Sequence, residues 1–162
     1  MNPFEIRVLV VDDFQPWHRF VSTMLGKQPE LRIIGEISDG LQAVQHVQEL
    51  QPDLVLLDIG LPTINGLEVA RRIRECAPES KILFVSENRS SDIAQEALAT
   101  GAGGYVLKSD APSELLPAIK AVLEGKKFIS SSLACHLLTA TTLTAIQTVH
   151  LSWFVTLITS LR

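Results

Sequence analysis

Cysteine and methionine occur only twice each in these 162 residues, and tyrosine once. Cys76 and Cys135 stand far apart and outside any C-x-x-C pattern. That excludes a disulfide framework and makes a reducing compartment, the cytoplasm, the expected location. His18, His46, His136 and His150 show no metal-ligand spacing, and no Ser-His-acid or Cys-His arrangement is apparent. Neither a GxxxxGK[ST] phosphate loop nor a GxGxxG fingerprint is present, so nucleotide binding has no motif behind it. Positive charge is also in short supply, with 14 Lys and Arg against 18 Asp and Glu and a net charge of −4. Chains whose main task is gripping nucleic acid carry basic patches, so this balance argues against that class. Met1 to Glu5 is too short and too polar for a signal peptide.

What is present is a chain long enough for one cored domain with a modest extension, 46% hydrophobic and 20% charged. Its centre is Leu54-Val55-Leu56-Leu57-Asp58, followed by Ile59-Gly60-Leu61-Pro62. Four consecutive apolar residues predict a strand buried on both faces, and the Gly and Pro stop it just after the carboxylate. An ionised Asp against a hydrophobic strand end is costly unless something pairs with it, which marks Asp58 as the reacting group.

The same grammar repeats along the chain. Ile6 to Val11 predicts a strand ending in Asp12-Asp13, and Phe14 to Leu25 a helix with Asp13 as a possible N-cap. Residues 31–37 and 41–50 predict the next strand and helix, and Leu67 to Cys76 a helix after the central strand. Lys81 to Val85 predicts a strand ending at Ser86, then a helix capped by Ser91 or Asp92. Tyr105 to Leu107 predicts a short strand ending at Lys108, and Ser113 to Glu124 a last helix with Pro117 in its first turns. Five strands alternating with five helices predict a parallel sheet with helices on both faces.

In such a sheet the C-terminal strand ends share one rim, where ligands bind. Asp12, Asp13, Asp58, Ser86 and Lys108 all fall on that rim, giving three carboxylates, a hydroxyl and an ammonium. Three like charges in one crevice raise one another's pKa, and Lys108 offsets only one. A hard divalent cation held by oxygen ligands and waters would offset the rest, and Mg²⁺ suits such an open site. A carboxylate beside a metal can accept a phosphoryl group from a high-energy donor.

The ensemble of VLVVDD, LVLLDIGLPTINGLE, the strand-end Ser86 and GYVLKSD resembles the receiver domain of two-component response regulators, over residues 6 to about 138. Within that family it is similar to the NarL/LuxR-type transcriptional regulators, whose receivers run on much as Gly125 to Ser130 does here. The resemblance implies a five-stranded doubly wound, flavodoxin-like sheet of order 2-1-3-4-5 in residues 1–127. It implies Asp58 as the acceptor of phosphoryl from a sensor histidine kinase. Asp13, Asp58 and the Gly60 carbonyl would ligate Mg²⁺, with Asp12 reaching it through water. Lys108 would pair with the phosphoryl oxygens, Ser86 would move to bond one of them, and Tyr105 would swing inward as it does so. Such a chain takes part in its own phosphorylation but would not be classed as an enzyme. Two rivals are a degenerate receiver acting as an unphosphorylated interaction or dimerisation module, and a phosphatase of the haloacid dehalogenase group. The latter carries D-x-D after its first strand, where this chain has Asp12-Asp13-Phe14. Glu87 stands where the family usually has a small residue, which is expected to slow phosphorylation by small donors.

From Phe128 to Leu161 there is no charged residue. Residues 128–162 are therefore read as a separate helical tail, with a stripe at Leu143, Ile146, His150, Trp153, Phe154, Leu157 and Leu161. That stripe would cover the receiver or pair with a second copy, and a homodimer through the first and fifth helices is the other possibility. A truncated or frame-shifted regulator would leave a similar tail. A membrane anchor is disfavoured because 12 of the 34 uncharged residues are Ser or Thr. The tail holds no basic recognition helix, so direct DNA binding by this chain is not expected.

Overall fold

The apolar runs of the sequence become the strands of one sheet in a computed structural model, which describes residues 5–134. In chain order these are β1 (Ile6–Val11), α1 (Gln15–Leu25), β2 (Leu31–Ile37), α2 (Gly40–Leu50), β3 (Leu54–Leu57) and α3 (Gly66–Cys76). They continue as β4 (Lys81–Ser86), α4 (Ser91–Ala99), β5 (Gly104–Leu107), α5 (Ala111–Leu123) and β6 (Phe128–Ile129). The strands are parallel throughout, in the order β2-β1-β3-β4-β5-β6. This is the flavodoxin-like order expected, with one strand more.

Strand period two sorts the core into two layers. Val8, Val10, Leu54, Leu56, Leu83, Val85 and Val106 face Trp17, Val21 and Leu25 of α1 and Leu115, Ile119 and Val122 of α5. Leu9, Val11, Val55, Leu57, Ile82, Phe84 and Tyr105 face α2, α3 and α4 through Val47, Val69, Ile73, Ala94 and Ala97. Burying each large apolar side chain contributes about 1.5–3 kcal/mol, so these layers dominate the favourable side of folding. They also fix the strand ends, and with them the rim.

Helix starts follow short polar side chains. Asp39 accepts from the Gln42 N–H at 3.0 Å, Asn65 from that of Glu68 at 3.0 Å, and Ser90 from that of Ile93 at 3.5 Å. Two expectations are corrected here. The α4 cap is Ser90, one residue before the candidates named. Asp13 caps nothing: α1 starts at Gln15 with Phe14 in the cap position, and Asp12 Oδ1 takes the Phe14 N–H at 2.9 Å. The first helix thus begins one residue late, leaving Asp13 free to face the rim. Similarly, α5 begins at Ala111 with Pro112 in its first turn, which puts Pro117 deeper in the helix than expected.

The sixth strand opens the uncharged stretch. Gly125, at φ +78°, turns the chain so that Phe128 and Ile129 pair with Gly104 and Tyr105. The Ser130 hydroxyl then accepts the buried Leu107 N–H at 2.8 Å, and Leu133 is fully buried. Residues 128 and 129 are therefore sheet edge and not helix. A two-residue strand is too short to show a period, and its value lies in pairing the open edge of β5. The stripe from Leu143 to Leu161 lies outside the described residues, as does Cys135.

Candidate acidic phosphoryl site

Asp12 and Asp58 are the residues next after β1 and β3, and Lys108 the residue next after β5. The sheet register therefore carries them to one rim. Asp12 is 1% exposed. Its Oδ2 lies 2.6 Å from Lys108 Nζ, and its carbonyl accepts His18 Nε2–H at 2.6 Å. Lys108 Nζ is also 3.8 Å from Asp58 Oδ2. Asp13 is exposed, and one oxygen from each of Asp12, Asp13 and Asp58 falls within 4.8 Å of the others. A cleft of about 440 Å³ exposes Asp13, Asp58, Gly60, Ser86, Glu87 and Lys108 together.

Asp58 is 8% exposed, and its carboxyl is pushed above the ordinary value. Burial is the main cause; the Lys108 charge opposes it, while Asp12 adds to the rise. The Ile59 N–H and the Ser86 hydroxyl favour the ionised form but do not reverse the sign. Three carboxylates share one ammonium here, and the donor set is all oxygen. That is the chemistry of a hard divalent cation. Gly60 lies next to this cluster, its Cβ position 3.5 Å from Asp58 Oδ2, an ordinary contact distance. The neighbouring Ile59 carbonyl takes the N–H groups of both Leu61 and Gly66, and among the described residues no backbone N–H bonds the Gly60 carbonyl.

The second layer is built on β4 and β5. Ser86 is buried, and its hydroxyl accepts from Asn88 N–H at 3.3 Å. Tyr105 is fully buried and stacked on Phe84 with ring centroids 6.3 Å apart. Its hydroxyl donates to the Asn88 carbonyl at 2.8 Å, so the ring occupies the inward position. Burial raises the Tyr105 pKa; a hydrogen bond to Ser86 counters this, and the Asp58 charge reinforces it.

Four contributors escaped the sequence reading. Gly66 lets α3 start against β3, since any Cβ there would overlap the Asp58 carbonyl oxygen. Thr63 sits at φ +71°, unusual for a β-branched residue, and its hydroxyl bonds the Asp39 carboxylate. His18 straps the Asp12 backbone. Trp17 lies beside Lys108, with its ring centroid 5.3 Å from Nζ. The LPTING run carries the signal for the first two; nothing in the sequence points to the others.

With sheet order, acid cluster and strand-end lysine established, the class is defined: the model of the response regulator receiver domain family matches residues 8–120, and the chain belongs to that family. Among curated proteins it is 31% identical over 138 residues to the transcriptional regulatory protein DegU of Brevibacillus brevis, covering 85% of this chain and 58% of that one. It is 32% identical to the nitrate/nitrite response regulator protein NarL of Escherichia coli K12, covering 78% of this chain and 58% of that one. The chain thus spans a little over half the length of these relatives. Among solved structures it resembles a LuxR-family two-component response regulator from Aurantimonas sp. SI85-9A1. That likeness has a TM-score of 0.81 at 30% identity, covering 85% of this chain and 99% of the other. No helix among the described residues is long and apolar enough to cross a membrane.

Proposed function

We propose that this protein is a phosphoryl acceptor of a two-component relay, working in the cytoplasm. A carboxylate oxygen of Asp58 attacks the phosphorus of a phosphohistidine on a sensor histidine kinase. The P–N bond breaks, its electron pair stays with the imidazole nitrogen, and an acyl phosphate remains on Asp58. Lys108 pairs with the arriving phosphoryl oxygens and Ser86 donates a hydrogen bond to one of them. Mg²⁺ would be held by Asp13, Asp58 and the Gly60 carbonyl, with Asp12 acting through water. When bound it offsets the acid cluster and the charge of the phosphoryl group.

The observation that supports this most is the convergence of three carboxylates and Lys108 within one small cleft. The switch is a change of packing between the inward Tyr105 and an outward one, biased by the charge added at Asp58. Output passes through protein contacts, including a homodimer through α1 and α5. Ile6, Leu31, Leu116 and Leu123 line an apolar groove beside those helices. DegU is a transcriptional regulatory protein, which suggests transcription control as the wider task, while direct DNA binding by this chain is not expected.

Incubation with Mg²⁺ and a phosphodonor, followed by mass analysis, should add one phosphoryl group per chain, absent in Asp58→Asn. A chain that stays unmodified with both a small donor and phosphorylated kinase would instead be an unphosphorylated interaction module.

A further inference from the structure

Lys108 belongs to two cavities at once. It lines the acid cleft, and it also lines a groove of about 580 Å³ that has Phe14, Pro16, Trp17 and Phe20 on one side. Phe14 and Glu87 line both as well, and the Lys108 ammonium lies between the carboxylate cluster and the Trp17 ring. On the acid side it meets Asp12 at 2.6 Å and, more loosely, Asp58 at 3.8 Å. On the other side it lies 5.3 Å from the Trp17 ring centroid, within the range where a cation is drawn to an aromatic face. Trp17 is 7% exposed and leans on Phe20, with centroids 5.0 Å apart, so the ring is held in place.

A lysine has four soft torsions, and the two carboxylates anchor only its tip. Left to itself, a long cationic side chain extends until its head reaches water. The groove offers that route, yet the Lys108 side chain is only 11% exposed. The indole stands where the ammonium would otherwise escape. We propose that Trp17 is a positioning residue for the phosphoryl transfer, its π face holding Lys108 beside Asp58 and Asp12 instead of in the groove. This rests on Asp58 being the phosphoryl acceptor. Trp17 itself touches no reacting atom.

The test varies ring electrons at constant shape. In a Trp153→Phe background, Trp17 is replaced biosynthetically by tryptophans carrying progressively more ring fluorine, and Asp58 modification by acetyl phosphate with Mg²⁺ is timed by mass analysis. The rate should fall stepwise with fluorine content while urea midpoints stay level. Trp17→Leu should slow it on the order of tenfold, and Trp17→Phe should restore part of the loss. In parallel, proton NMR of the same chain should show the Lys108 ε-methylene shifted upfield by the ring, a shift that Trp17→Leu abolishes. A flat rate across the fluorinated series, or an ε-methylene at its ordinary position, overturns the proposal. If the parent chain takes up no phosphoryl group from acetyl phosphate or from phosphorylated kinase, the reading of Asp58 fails and the positioning role falls with it. The ε-methylene shift would then report the Trp17–Lys108 contact alone.

Discussion

Replacing Asp58 by asparagine should make the protein more stable. Asp58 is nearly buried, and burying an ionised carboxylate costs several kcal/mol even after relaxation. Lys108 at 3.8 Å returns about 4 kcal/mol at an effective dielectric near 20. That return is shared, because Asp12 sits closer to the same ammonium at 2.6 Å and repels Asp58 in turn. The balance falls against the charge, as the raised Asp58 pKa records. For an acid whose folded pKa is raised, the folded state binds the proton more tightly. The wild type therefore loses stability as pH climbs from the unfolded value of 3.8 through the folded one. Asp58→Asn removes that penalty while keeping the shape. Urea unfolding followed by circular dichroism, in chelator at about pH 7.5, should show a gain of about 1–2 kcal/mol. Near pH 4, close to the unfolded value of 3.8, the gain should be smaller, because the folded carboxyl then carries less of its charge. Adding Mg²⁺ at neutral pH should stabilise the wild type more than the Asn form, narrowing the gap. A variant that is destabilised at pH 7.5, or equally stabilised at both pH values, would refute the electrostatic account.

Other expectations are simpler. Gly66→Ala forces its methyl into the Asp58 carbonyl, so the urea midpoint should drop by an amount equivalent to about 3 kcal/mol or the chain should fail to fold. Ser130→Ala strands the buried Leu107 N–H, and should cost about 1–3 kcal/mol, with faster hydrogen exchange at the amides of β5. Tyr105→Phe leaves the Asn88 carbonyl without its donor and should cost about 1 kcal/mol in urea. Absorbance titration of the intact protein should find the Tyr105 phenol ionising above the ordinary value of 10.0. Glu87→Ala takes one anionic side chain from the cleft mouth and should speed modification by acetyl phosphate on the order of tenfold at low salt, less at high salt. An unchanged rate would show that Glu87 does not filter small donors.

The rim was legible because its residues sit where continuous apolar runs stop. Asp12, Asp58, Ser86 and Lys108 each terminate or follow a buried strand, and parallel order alone then brings them together. Tertiary pairings were not legible. Phe128 and Ile129 carry no local signature of a strand, since what makes them one is the open edge of β5 and the turn at Gly125. Asp13 has the composition of an N-cap, yet the helix starts two residues later and its carboxylate joins the acids. His18 shows no metal-ligand spacing, and the sequence assigns it no partner; in the fold it bonds a backbone carbonyl six residues earlier, on the turn that leads into its own helix, and faces Glu36 with its other nitrogen.

These failures share a physical cause that also explains the site. Local propensity describes what a segment does when its neighbours are indifferent, and at the rim they are not. Asp13 forgoes a cap, Thr63 adopts a backbone angle its side chain disfavours, and Asp58 keeps a charge position that burial opposes. Each departure lies within the loops following β1 and β3 or touches them. A sheet whose two apolar layers are complete can hold such strain at its edge without rearranging. The same stiffness keeps Ser86 and Tyr105, on the next two strands, within electrostatic reach of Asp58. Stability invested in the layers is thus what allows the rim to remain electrostatically unsatisfied, and an unsatisfied rim is what a cation and a phosphoryl group can relieve.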